Sequence, residues 1–137
     1  MSAELTATCR CGQLAVRVSG APLRVSICHC HECQRRSGSA FAWQARWPAA
    51  AVKVAGESNS WQSSGDSGGD SGGQATFNFC PHCGSTLFYT NDGLPDQIAV
   101  AVGGFAGQPQ PPPWVSVYEN RLQPWLAITA EPMERMV

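Results

Sequence analysis

Residues 28–33 read Cys-His-Cys-His-Glu-Cys, a stretch in which every side chain can bind a metal or move a proton. Three of the chain's seven cysteines lie here, and the other four form two close pairs, Cys9/Cys11 and Cys80/Cys83. In Cys80-Pro81-His82-Cys83-Gly84 the spacing lets both sulfurs face one ion, and Gly84 frees the backbone for a tight turn whose amides can donate to thiolates. Cys9 and Cys11 are closer together but can converge on the same ion. The two pairs then supply the four thiolates of a closed structural zinc site. A redox dithiol at Cys80/Cys83 is the competing reading, and it leaves Cys9 and Cys11 without a role. Iron fits the same donor set.

The remaining cysteines, Cys28, Cys30 and Cys33, have C-x-C-x-x-C spacing, so three sulfurs can face a single point. Three protein ligands with an open fourth position is the pattern of a catalytic metal site. Three thiolates make zinc a weak Lewis acid, so binding a substrate thiolate suits the site better than activating water. In an extended segment His29 points away from the face that carries Cys28 and Cys30. His29 and His31 are therefore expected to support the site, with ligation by one of them as the alternative. His82 is expected at the surface. Glu32 reads as a solvated turn carboxylate, or else as an acid or base beside the metal. Arg35, Arg36 and Arg46 are the cations nearest in sequence, available to a substrate carboxylate if they are not simply solvated.

Short strands must position these groups. Leu14, Val16 and Val18 alternate within residues 12–19, the mark of a half-buried strand. Further strands are expected at 23–28, 39–47, 52–54, 75–79, 85–90, 97–102, 115–118 and 125–128, separated by Gly, Pro and Asn turns. Only residues 31–37 look helical. The pattern implies one all-β domain spanning residues 1–137. The Gly/Ser/Asp tract at 63–73 reads as a mobile surface loop, or alternatively as a lid. Residues 108–113, Gln-Pro-Gln-Pro-Pro-Pro, read as a stiff connector, or alternatively as a pocket wall.

Composition excludes several roles. Charged residues make up 14% of the chain and the net charge is -1, which is no footprint for nucleic acid. No apolar run approaches the length of a membrane span. The N-terminus lacks an apolar signal core, so a cytoplasmic location is expected. There, close cysteine pairs serve metals or redox chemistry rather than a disulfide framework.

Three motifs occur in order: C-x-C-G at 9–12, C-H-C-x-x-C-x-x-x-S-G at 28–38, and F-C-x-x-C-G-S at 79–85. With the late Pro124-Trp125, they resemble the glutathione-dependent formaldehyde-activating enzyme family, whose domain also occurs in centromere protein V. The resemblance implies a β-tent of small antiparallel sheets pinned by zinc, with two zinc ions per chain. It implies structural zinc on Cys9, Cys11, Cys80 and Cys83, and catalytic zinc on Cys28, Cys30 and Cys33. It also implies a carbon–sulfur lyase that reversibly cleaves S-hydroxymethylglutathione to glutathione and formaldehyde. A small thiol and a small aldehyde would then be its partners. The alternative on the same fold is a non-enzymatic zinc-binding interaction module. A metal-free, reactive triplet with a redox or thiol-transfer role is a third reading.

Overall fold

Alternating apolar residues give several strands a buried face, and backbone pairing sorts the strands into two sheets. The computed structural model describes residues 4–63 and 73–137. The smaller sheet contains β1 (Glu4–Thr8), β2 (Ala15–Ser19) and β5 (Val52–Ala55), with β2 central and both pairings antiparallel. The larger sheet contains β3 (Arg24–Cys28), β4 (Ala42–Pro48), β6 (Asn59–Gln62), β7 (Ala75–Phe79), β8 (Thr86–Asn91), β9 (Leu94–Ala101), β10 (Val115–Val117) and β11 (Glu134–Arg135). Its strand order is β11-β10-β3-β4-β9-β8-β7-β6. The single α-helix among the described residues, α1 (His31–Ser37), leaves the end of β3. It stops at Gly38, whose φ of 69° is the left-handed conformation that ends helices.

The mostly β architecture agrees with the sequence, and the expected strands and helix appear with boundaries shifted by a few residues. Four details differ. β10 runs parallel to β3, with Val115 opposite Ser26 and Val117 opposite Cys28, and β11 is parallel to β10. A parallel pair needs a long crossover, and the many residues between β3 and β10 supply it. Residues 125–128, expected as a strand, form none, and Trp125 projects into solvent at 75% exposure. β1, β6 and β11 have no counterpart in the sequence reading. β6 is exposed at every position and β11 is two charged residues long, so neither carries a burial pattern to read.

The core lies between the two sheets. Leu14, Val16 and Val18 meet Val25, Ala45, Trp47, Leu87 and Val100, all fully or almost fully buried. Each large aliphatic side chain so buried contributes about 1.5–3 kcal/mol. Trp47 packs edge-on against Phe105 at 5.8 Å, and its indole N–H donates to the Gly20 carbonyl at 3.0 Å. The 3₁₀ turn Val102–Phe105 packs so closely that a Cβ on Gly104 would lie 2.7 Å from Leu87 Cδ1 of β8 and 3.0 Å from Ala7 Cβ of β1.

The Gly/Ser/Asp tract lies outside the described residues except at its ends, Ser63 and Gly73. Residues 109–113 form no regular element, as expected of a connector. They are anchored by Gln108, whose amide exchanges hydrogen bonds with the Thr6 backbone at 3.2 and 2.7 Å. Among the described residues, no helix is long and apolar enough to cross a membrane.

Candidate functional site

The turn after β1 carries Cys9 and Cys11, and the β7–β8 hairpin carries Cys80 and Cys83. Their four sulfurs lie within 4.8 Å of one another and can hold a metal ion. Cys11 Sγ is 3.6 Å from Cys9 Sγ and 3.7 Å from Cys80 Sγ. Four thiolates bonded ~2.3 Å from a tetrahedral ion would stand ~3.8 Å apart, so the set is already at coordination spacing. N–H donors surround it. Leu14 N–H reaches Cys9 Sγ at 3.3 Å, His82 N–H reaches Cys80 Sγ at 3.3 Å, and Gln13 Nε2 donates to Cys80 Sγ at 2.9 Å. Hydrogen bonds from Ser85 hold the Cys83 thiol down at about 5. Gly84, with φ of 82°, closes the knuckle by donating to the Cys80 carbonyl at 2.8 Å. His82 stays outside the cluster, exposed, and faces Glu57 at 3.2 Å.

The second cluster forms where β3 becomes α1. Cys28 ends the strand, Cys30 caps the helix, and Cys33 lies in its first turn. Their sulfurs also lie within 4.8 Å of one another and can hold a metal ion. Cys30 Sγ accepts the Cys33 N–H at 3.3 Å. Hydrogen bonds from the Cys28 and Cys33 thiols, aided by backbone amides, hold Cys30 down at about 2. The bond to Cys30 pushes Cys28 up. Cys33 is lowered by Cys28 but raised more by Cys30 and burial, and ends at about 11. Three thiolates this close repel one another, and a cation at their centre would offset that repulsion.

His29 is not part of this cluster. It is fully buried, edge-on to Phe41, with Nε2 3.0 Å from Ser116 Oγ. Ser116 gives its one hydroxyl proton to the Glu119 carboxylate, so His29 Nε2 must be the donor to Ser116. Burial lowers the His29 pKa, which keeps the ring neutral. The histidine therefore ties the end of β3 to β10. His31 is exposed and accepts from Arg121 at 2.9 Å. Glu32 pairs with Arg35 at 2.7 Å, and both are largely solvated.

Strand register explains what faces the triplet. Cys28 is opposite Ala42, Ser26 opposite Gln44 and Arg24 opposite Arg46, so Cys28, Gln44 and Arg46 share a face of the sheet. Across the same sheet Trp61, Phe77 and Tyr89 are successive cross-strand partners and form an aromatic wall. Trp61 stacks on Phe77 at 6.3 Å, and Phe77 meets Tyr89 at 4.9 Å. Triplet and wall enclose a cavity of about 340 Å³, also lined by Arg35, Arg36 and Arg46. The Arg36 guanidinium lies 4.6 Å over the Phe77 ring and 5.5 Å over Tyr89, with Nη2 3.9 Å from Cys33 Sγ. Burial pushes the Tyr89 hydroxyl up to about 12 despite Arg36 and Arg46 nearby, so it remains protonated. A second cavity, of about 740 Å³, shares Arg36, Gln44, Thr86 and Tyr89 with the first and extends to Cys9 and Arg10. No residue of the 108–113 segment lines either cavity.

The sequence reading missed Gln44 and the aromatic wall. Gln44 and Arg46 interrupt an otherwise apolar strand at alternate positions, which is a usable signal of a polar face. Trp61, Phe77 and Tyr89 come together only through pairing.

No curated protein matches the chain. Its fold resembles the crystal structure of a Rhodobacter sphaeroides protein, with a TM-score of 0.58 and 21% identity over 77% of this chain and 91% of that one. The family model for the glutathione-dependent formaldehyde-activating enzyme matches residues 4–121. That span holds both cysteine clusters and every residue of both cavities, so the chain belongs to the glutathione-dependent formaldehyde-activating enzyme family.

Proposed function

We propose that the protein is a zinc-dependent carbon–sulfur lyase acting reversibly on a thiol–aldehyde adduct such as S-hydroxymethylglutathione. The observation that carries this reading is the difference between the two clusters. Among the described residues the first set has four donors, whereas the triplet has three and opens into a cavity. Cys9, Cys11, Cys80 and Cys83 would hold a structural zinc, and Cys28, Cys30 and Cys33 a catalytic one. Bound at the triplet, zinc would lower the pKa of an incoming thiol and favour its thiolate.

The chain's own residues do the rest. Arg36, fixed against Phe77 and Tyr89, sets a positive charge beside the thiolates. Arg35 and Arg46 offer cations to the carboxylates of a thiol such as glutathione. The aromatic wall offers apolar surface to the organic part of the adduct. Holding thiol and carbonyl together replaces a bimolecular encounter, an effect that can supply several kcal/mol of the barrier. The chemistry requires reduced thiols, which fits a cytoplasmic location.

Exchange NMR of glutathione with formaldehyde tests the activity. The zinc-loaded protein should accelerate interconversion with S-hydroxymethylglutathione. An unchanged rate across physiological pH rules the reaction out. X-ray absorption should show three sulfurs and one exchangeable light atom at one of two zinc ions. Four fixed protein ligands at both would support the interaction-module alternative.

A further inference from the structure

Gln44 is 5% exposed, at the middle of the face that β3 and β4 turn toward the triplet. Its Nε2 donates to Ser26 Oγ at 2.8 Å. Its carboxamide oxygen has no hydrogen-bond partner among the described residues. A buried acceptor left unpaired is destabilising, and such groups persist where something else completes them. Gln44 also lines both cavities. Cys28 pairs with Ala42, so Gln44 is the diagonal neighbour of Cys28, about 7–8 Å away along the sheet and within reach of a long side chain.

We infer that Gln44 is a specificity-determining residue whose carboxamide oxygen accepts a hydrogen bond from the hydroxyl of a thiol–carbonyl adduct held at the triplet. The inference rests on reading the triplet as a thiol site. In an adduct RS–CH(R′)–OH the hydroxyl is one carbon from sulfur, so with the sulfur anchored at the triplet, rotation about the C–S bond can bring the O–H to Gln44. On cleavage the C–S bond breaks and its electrons leave with sulfur. The C=O bond forms, and the hydroxyl proton passes to the departing thiolate. No oxidant or reductant is consumed. Gln44 takes no proton, because an amide oxygen is not a base. It orients the hydroxyl and selects adducts that carry one over S-alkyl thioethers that do not.

The test uses two ligands that differ only in hydroxyl against methyl, S-hydroxymethylglutathione, kept formed by excess formaldehyde, and S-ethylglutathione in the same formaldehyde. Calorimetric binding to the zinc-loaded protein gives the affinity ratio for wild type and for Gln44→Met. The variant should shift that ratio toward S-ethylglutathione by about 10- to 100-fold, with zinc content unchanged. A ratio that does not move overturns the inference. In wild type the Gln44 side-chain carbonyl ¹³C resonance should shift with S-hydroxymethylglutathione and stay fixed with S-ethylglutathione. This readout holds even if the variant folds poorly, and equal shifts with both ligands overturn the inference. The lyase reading is judged separately. Hydroxyl discrimination without formaldehyde exchange sinks the lyase reading and keeps Gln44. Exchange without discrimination does the reverse. Failure of wild type to bind either ligand overturns both.

Discussion

Replacing Cys80 and replacing Cys30 with serine should have very different thermal consequences. A metal on the first cluster links Cys11 to Cys80, a sequence separation of 69 residues, and ties the small sheet to the large one. A metal on the second cluster links residues only a few positions apart, from Cys28 to Cys33. Loop-closure entropy scales as (3/2)RT ln n, so the longer link restricts the unfolded chain by about 2.3 kcal/mol more than the shorter one. An unfolding entropy near 2.1 cal/mol/K per residue makes this about 8 °C in melting temperature for a chain of 137 residues. Cys80 is also fully buried, whereas Cys30 is half-buried at the cavity, which widens the gap. Differential scanning calorimetry of the zinc-loaded proteins, with metal content measured on the same samples, checks this. Cys80→Ser should melt at least ~8 °C below Cys30→Ser, and Cys30→Ser should lose thiol binding at a melting temperature near wild type. Equal destabilisation by the two substitutions would refute the division into a structural and a catalytic metal.

Three other changes report on separate parts of the fold. Arg46→Met should weaken calorimetric binding of 3-mercaptopropionate several-fold, by up to about 1 kcal/mol for a solvent-screened ion pair, and leave 2-mercaptoethanol nearly unaffected. Equal weakening of both thiols would mean that Arg46 does not contact the carboxylate. Gly104→Ala should cost about 1–3 kcal/mol in urea unfolding, because its methyl would meet Leu87 and Ala7 at 2.7 and 3.0 Å. A stability equal to wild type would show that this contact can open. Burial raises the Glu119 pKa, but hydrogen bonds from Ser116 and Arg135 outweigh it, and the net shift is below the ordinary 4.5. A lowered folded-state pKa stabilises the protein above pH 4.5, and that contribution fades as pH falls through the folded value. Glu119→Gln should therefore be less stable than wild type at pH 6, and the difference should shrink below pH 4.5 in urea titrations. A constant difference would refute the linkage.

The cysteine grouping could be read from the chain because metal knuckles are local. In Cys80-Pro81-His82-Cys83 and in Cys28 to Cys33, spacing and turn chemistry already bring the sulfurs together. β7 was legible for a similar reason, since Phe77 and Phe79 alternate with polar residues. β1 was not, because only Ala7 in it is fully buried and the strand is defined by its neighbour β2. β6 takes its place from the register that sets Trp61 beside Phe77. Residues 125–128 carry apolar side chains without a partner strand, and Trp125 stays in solvent. Gln44 illustrates the same limit within the site. Its position on a polar face follows from alternation, but its unpaired oxygen follows only from Ser26 on another strand.

The two clusters are mechanically joined even though they bind separately. β4 is the shared element on the triplet side, with Ala45 and Trp47 in the core on one face and Gln44 and Arg46 at the cavity on the other. The aromatic wall stands on β6, β7 and β8, and the β7–β8 hairpin carries Cys80 and Cys83. Fixing that hairpin to the Cys9–Cys11 turn therefore fixes the distance from Tyr89 and Phe77 to the triplet. Arg36 bridges the gap directly, with its guanidinium on the wall and one nitrogen near Cys33. Loosening the four-cysteine cluster would release the wall before it disturbed Cys28, Cys30 or Cys33, which β3 and α1 hold together on their own. A defect there should first weaken binding of the substrate's organic part, while binding of a minimal thiol to the triplet persists.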